Sequence, residues 1–250
     1  MKISVITVAY NSAATVEDTI MSVASQSYKD VEYIIVDGGS TDGILEIINR
    51  HKSKISKSIS ERDRGIYDAM NKGIALATGE VIGFLNADDI YADNLVLGKV
   101  ASVFADSSVD ACYADLVYVS RDDFNRVIRY WKSREYREGL FRKGWMPAHP
   151  TFFARRSVYE KYGGFDLDFK FQSDFDLMIR FLEIHGIKSV YIPEIFIKMR
   201  MGGATNRNLL NIIKGNLEAY RACKKNGLNV NPFFIAIKIL SRIPQFFSRQ

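Results

Sequence analysis

Between Ile3 and Leu85 the chain alternates apolar runs of strand length with amphipathic helical stretches, and each run stops at a polar cluster. The runs are Ile3 to Ala9, Val31 to Val36, a weaker one from Ile55 to Ser60, and Glu80 to Leu85. Ser12 to Ser25 reads as a helix with an apolar stripe at Val16, Ile20, Val23 and Ala24. Ile44 to His51 reads as a helix capped by Ser40 or Thr41, and Tyr67 to Ala77 as one stopped by Thr78-Gly79. Such alternation implies a parallel sheet with helices on both faces, in which ligands bind outside the carboxyl ends of the strands. Tyr10-Asn11, Asp37 and Asp88-Asp89 all stand at such ends, so the expected fold gathers them on one edge.

The second half is less regular. Val109 to Val119 and Val127 to Trp131 read as a hairpin across Arg121-Asp122-Asp123, and Pro150 to Ala154 as a short strand. Ser173 to His185 reads as a helix with Ser173 as its cap, Asp176 as the acid three residues on, and Gly186 as its stop. Val190 to Ile192 closes at Pro193, and Asn208 to Asn226 reads as a polar-faced helix. The segment 232–250 joins aromatics and aliphatics to Lys238, Arg242 and Arg249. It is too short and too broken to span a bilayer, which takes about 20 mostly apolar residues. It suits a helix lying in the membrane interface, or one packed on the domain or on a second subunit.

Acidic pairs after strands are commonly turns or helix caps. Asp88-Asp89 differs in following a fully apolar strand, where two adjacent carboxylates call for a cation beside them. A divalent ion on a diphosphate meets that need, since Mg²⁺-type ions take one or two protein carboxylates and complete their shell with phosphate. With 47% apolar and 12% aromatic residues the chain supports a packed core. Its two cysteines form neither a disulfide framework nor a zinc pattern. The start runs directly into a strand, which argues against a signal peptide. The net charge of +5 is concentrated between Arg121 and Lys161, with eleven basic residues against five acidic ones. Nucleic acid is disfavoured as a partner, because acidic strand ends repel phosphate.

Six stretches, taken in order, resemble one family, the family 2 glycosyltransferases of GT-A fold. They are Ile6-Thr7-Val8-Ala9-Tyr10-Asn11, Val36-Asp37-Gly38-Gly39-Ser40-Thr41-Asp42-Gly43, Asp63-Arg64-Gly65 with Ile66-Tyr67-Asp68-Ala69-Met70-Asn71-Lys72-Gly73, Phe84-Leu85-Asn86-Ala87-Asp88-Asp89, His149-Pro150-Thr151-Phe152-Phe153, and Ser173-Asp174-Phe175-Asp176-Leu177. The resemblance implies a Rossmann-like α/β domain over 1–205, with a nucleotide-sugar half (1–105), an acceptor half (106–205), and a C-terminal helical extension over 206–250.

It further implies that Thr7, Tyr10 and Asp37 hold the uracil end of a UDP-sugar. Asp88 would contact ribose or sugar, and Asp89 would bridge Mn²⁺ or Mg²⁺ to the diphosphate. Asp174 would be the general base, where Ser173 replaces an acid the family often has. Asp176 is the other carboxylate at that point, and the capping box ties it to backbone donors. Many members carry Arg where this chain has Met70, so Arg64 or Arg62 would supply that cation. His149, Trp145 and Asp176 would meet the acceptor or the diphosphate.

The subgroup it looks most like assembles O-antigen, capsule or exopolysaccharide on a polyprenyl diphosphate carrier. A cytoplasmic enzyme held on the inner membrane face by 232–250 is the matching expectation, with a homo-oligomer as another use of that segment. A nucleotidyltransferase would need a Gly-rich basic loop where Ala9-Tyr10-Asn11-Ser12 stands. A dinucleotide enzyme would need G-x-G-x-x-G after the first strand. A sugar-nucleotide-binding protein without transfer activity would keep the first four stretches and have no need of Asp174.

Overall fold

The computed structural model describes residues 1–202, 209–241 and 245. Its centre is a curled mixed sheet in the order β3-β2-β1-β4-β8-β6-β9-β5, with β7 paired to β6. The first half of the chain supplies β1 (Ile3–Ala9), β2 (Val31–Asp37), β3 (Lys57–Ser60) and β4 (Val81–Phe84), all mutually parallel. β1 is buried at every position. Helices cover both faces, which explains its unbroken apolar run. Val5, Ala9 and Tyr33 pack with α1 (Val16–Ala24) and α4 (Val96–Phe104) on one face. Ile6, Val8 and Ile34 pack with α3 (Ile66–Leu76) on the other. α2 (Ile44–Arg50) starts at Gly43, whose φ is +89°, rather than on a Ser40 or Thr41 cap. That loop bonds β1's end instead: Ser40 Oγ accepts the Asn11 N–H at 2.8 Å and the Thr41 backbone N–H donates to Asn11 Oδ1.

The second half adds β5 (Ile90–Tyr91), β6 (Ala111–Val119), β7 (Val127–Trp131), β8 (Phe153–Arg155) and β9 (Ser189–Arg200). The β6–β7 hairpin matches the sequence reading. β9 does not stop at Pro193: it runs parallel to β6 through a register shift opposite Asp115, which absorbs the missing N–H. α5 (Arg156–Tyr162) was not legible as a helix, and α6 (Ser173–Met178) widens into a π-helical stretch over 179–184. Ser173 is the first helical residue of α6, not its cap.

α7 (Leu209–Lys225) and α8 (Phe234–Leu240) pack on the same core, burying Ala219, Ala222, Cys223 and Phe234. No helix among the described residues is long and apolar enough to cross a membrane. Of the segment 232–250, residues 242–244 and 246–250 lie outside those described. The basic middle segment is not one patch. Arg155 is spent on the carbonyls of Phe104, Asp106 and Val109, and Arg129 lies 4.8 Å from the Tyr118 ring.

Candidate active site

The carboxyl ends of β1 to β4 form one edge, tied together by short polar bonds. The Gly38 N–H donates to the Ala9 carbonyl at 2.9 Å. Thr15 and Thr19 of α1 donate their hydroxyls to the Ala87 and Asp89 carbonyls, both at 2.8 Å, which pins the turn after β4. Asn11 sits at φ +47°, a conformation that asparagine tolerates better than most side chains.

Burial sorts the expected donor-site residues. Thr7 is fully buried beneath the edge, where its hydroxyl accepts the Tyr33 O–H at 3.1 Å. Asp37 is also fully buried. Its carboxylate accepts the N–H groups of Gly39 and Ser40 and the hydroxyls of Ser40 and Ser60. All its acceptor capacity goes into shaping the 37–43 loop. The outward surface belongs instead to Tyr10, 67% exposed, and to Asp63. A Cβ on Gly38 would meet Asp63 Oδ2 at 2.4 Å and the Tyr10 ring at 3.3 Å. A ring face and a carboxylate therefore flank bare backbone. Asp63 has no role of its own in the sequence reading; the glycine at the neighbouring strand end is the signal that points to it.

The acidic pair divides by burial. Asp89 is enclosed: Oδ1 accepts the Arg200 N–H at 3.2 Å and Oδ2 the Asn86 side-chain amide at 3.0 Å. Burial, then the Asp88 charge, raises its pKa well above the carboxylate range. Asp88 is half-buried and is the outward carboxylate of the two. Mutual repulsion at the end of an apolar strand suits a cation held by the pair and completed by substrate phosphate. Among the described residues no cluster of three or more His, Cys, Asp or Glu forms a complete cage.

Arg64 is turned outward and paired with Asp68 at 3.3 Å. The cation at the acidic edge is Arg200, at the end of β9. Its guanidinium bonds Asp18 Oδ2 at 2.5 Å and lies 4.1 Å from the Phe124 ring centre. Stopping β9 at Pro193 hid it from the sequence reading.

A chain of rings reaches from this edge into the second half of the chain. Phe84 meets Phe165 edge-on at 5.4 Å, and Phe165 stacks on Tyr67 at 5.4 Å. The Tyr67 hydroxyl donates to Asp174 Oδ1 at 3.1 Å, and the Phe175 N–H to the same oxygen at 2.8 Å. Burial and then Asp174 raise the Tyr67 pKa well above its ordinary value, so it remains a donor. His149 lies between Phe84 and Phe165, at 6.0 and 5.8 Å. Both its ring nitrogens and the Ser173 hydroxyl are enclosed without a hydrogen-bond partner among the described residues. Burial lowers the His149 pKa while Asp174 opposes the shift, so the ring is neutral, with one donor and one acceptor.

Asp176 and Trp145 stand apart from this edge. Asp176 is buried and held by Arg180 at 2.9 Å and Asn226 at 2.7 Å, side chains rather than the backbone donors of a capping box. Trp145 packs among Tyr113, Tyr136 and Phe141, behind Phe175.

Comparison with known proteins identifies the family and the fold. Residues 4–163 match the model of Glycosyl transferase family 2. A PGL/p-HBAD biosynthesis glycosyltransferase of Mycobacterium tuberculosis is 32% identical over 181 residues, covering 71% of this chain and 68% of that protein. An uncharacterized glycosyltransferase of Nostoc is 40% identical over 112 residues, 44% of this chain and 34% of its own. Among solved structures, S. aureus TarS 1-349 in complex with UDP superposes with a TM-score of 0.69 at 17% identity, covering 96% of this chain and 71% of that one. The mannosyltransferase PcManGT of Pyrobaculum calidifontis, with GDP-Man and Mn²⁺, gives 0.63 at 21% identity, covering 96% and 69%. The chain belongs to glycosyl transferase family 2 and is a glycosyltransferase of GT-A fold.

Proposed function

We propose that this enzyme moves a hexose or N-acetylhexosamine from a UDP-sugar to a hydroxyl of a polyprenyl-diphosphate-linked saccharide, with inversion, in assembly of a surface glycan of the O-antigen, capsule or exopolysaccharide kind. The observation that carries the reading is the sorting of carboxylates. Asp37, Asp89 and Asp176 are buried and hydrogen-bonded within the fold, whereas Asp63, Asp88 and Asp174 are half-buried. Each then takes one part of the substrate. Tyr10 stacks on the base beside Gly38, and Asp63 accepts a base N–H. Asp88 holds Mn²⁺ or Mg²⁺, which when bound offsets charge on the diphosphate. The UDP bound to TarS and the Mn²⁺ bound to PcManGT favour this donor and metal class.

Asp174 takes the proton of the acceptor hydroxyl as its oxygen attacks the anomeric carbon. The bond to the diphosphate breaks on the opposite face, its electron pair leaving with UDP. The Tyr67 O–H and Phe175 N–H hold the Asp174 carboxylate in place and leave its second oxygen for the acceptor. Neutral His149 and Ser173 offer polar atoms to the substrate. A polyprenyl-diphosphate-linked acceptor would hold the enzyme at the inner face of the cytoplasmic membrane.

The test is sugar transfer across a panel of UDP-sugars, with metal-dependent UDP binding measured alongside. Asp174→Asn is expected to bind UDP normally and lose turnover at least about a hundredfold. Asp88→Ala is expected to lose the metal dependence of UDP binding. Near-normal turnover in Asp174→Asn overturns the base, and UDP binding without transfer of any sugar by the wild type favours the binding-protein reading.

A further inference from the structure

The outer face of α7 has no role in the chemistry above. Leu210, Ile213 and Leu217 are 66%, 55% and 54% exposed, at helical spacings of three and four. Lys214, Arg221 and Lys224 continue the same stripe, while Ala219, Ala222 and Cys223 face the core. Beside the stripe runs an open groove of about 380 Å³, bounded by Lys170 and Phe171 on one side and by Lys214, Leu217, Glu218 and Arg221 on the other.

Glu218 is the one acid in that groove, and its carboxylate is already engaged. It accepts three consecutive backbone N–H groups, from Lys170, Phe171 and Gln172, at 3.2, 2.7 and 3.1 Å. Lys170, Lys214 and Arg221 form no ion pair among the described residues. The surface therefore presents large aliphatics interleaved with unopposed cations.

We propose that this face docks the enzyme on an anionic lipid bilayer, with Leu210, Ile213 and Leu217 entering the headgroup boundary and Lys170, Lys214 and Arg221 meeting lipid phosphate. The inference rests on the membrane-borne acceptor proposed above and adds a contact outside 232–250. Apolar burial and attraction between basic side chains and anionic headgroups are the two terms that hold an interfacial helix. Charge selects the occupant: a second copy laid on the same stripe would set Lys214 and Arg221 against cations. Glu218 links the docked helix to the backbone immediately before Ser173-Asp174, so the membrane contact and the catalytic segment share one anchor.

Flotation of the full chain with vesicles of phosphatidylcholine alone, or mixed with phosphatidylglycerol, tests it. The wild type is expected on the mixed vesicles and released by salt. The paired changes Ile213→Asp with Leu217→Asp, and Lys214→Glu with Arg221→Glu, are each expected to weaken that binding at least about tenfold, with UDP binding and melting temperature retained. Wild-type-like flotation of both pairs overturns the inference. If Phe233→Asp with Ile237→Asp alone abolishes flotation, the α7 contact fails while the membrane reading survives through α8. No flotation of the wild type removes both. A wild-type dimer that the α7 changes split, without vesicle binding, assigns the face to a second copy.

Discussion

Asp37 and Asp63 stand at neighbouring strand ends and differ in what surrounds them. Asp37 is an internal clamp with four donors on one carboxylate, whereas Asp63 bonds the Gly65 N–H at 2.8 Å and faces Tyr10 across bare Gly38. Removing each should therefore fail differently. Asp37→Ala orphans buried donors and should cost about 2–3 kcal/mol of stability. Asp63→Ala should leave the melting temperature in place and raise the Michaelis constant for the UDP-sugar about tenfold, the worth of a charge-assisted hydrogen bond. Gly38→Ala should do the same, because the added methyl displaces the Asp63 carboxylate, the movable end of a side chain. Melting curves and donor kinetics on the three variants check this. If Asp63→Ala binds donor normally while Asp37→Ala retains full stability, the base contact returns to Asp37.

Among the elements, β4 has the most to reconcile. It pairs parallel to β1 and antiparallel to β8, so it joins the two halves and then delivers Asn86 to Asp89. Gly83 makes that junction possible: a Cβ there would lie 2.1 Å from the Phe153 ring, which is fixed in the core. Gly83→Ala should cost roughly 1–3 kcal/mol by overpacking and disturb the acidic turn beyond it. Chemical denaturation checks the first effect and metal-dependent UDP binding the second; wild-type stability would show that Phe153 can move aside.

The parallel strands were legible in the sequence because burial on both faces leaves continuous apolar runs. β9 was cut short because Pro193 ordinarily ends a strand, and the register shift that accommodates it depends on β6, distant in sequence. Ser173 read as a cap by local chemistry, yet Gln172 occupies that place. The difference in burial between Asp88 and Asp89 was invisible for the same reason: adjacent, identical side chains are told apart only by α1 and β9 closing over one of them.

At the scale of the whole molecule the two ends of the parallel sheet do different work. The carboxyl ends carry the chemistry, and the amino ends carry a buried clamp on Glu32. Its carboxylate accepts the Ser4 hydroxyl at 2.6 Å, the Thr78 N–H at 2.7 Å and its hydroxyl at 2.9 Å, and pairs with Lys57 at 2.9 Å. One side chain thus joins β1, β2, β3 and the turn into β4. Burial pushes the Glu32 pKa up, but the bonds from Ser4, Thr78 and Lys57 outweigh it and bring the value down to about 2, from an ordinary 4.5. A carboxyl more acidic in the folded than in the unfolded chain stabilises the fold above the unfolded value. That contribution is complete above about pH 4.5 and fades as pH falls toward 2. With allowance for solvent screening it is worth about 2 kcal/mol. Glu32→Gln cannot titrate, so its unfolding free energy should fall less steeply than the wild type's between those pH values. At pH 7 the same variant should be less stable yet bind UDP within about twofold of wild type, because the clamp lies at the end of the sheet away from the nucleotide. Urea titrations at a series of pH values, with UDP binding at neutral pH, make the comparison; parallel stability profiles would remove Glu32 as the source of acid sensitivity.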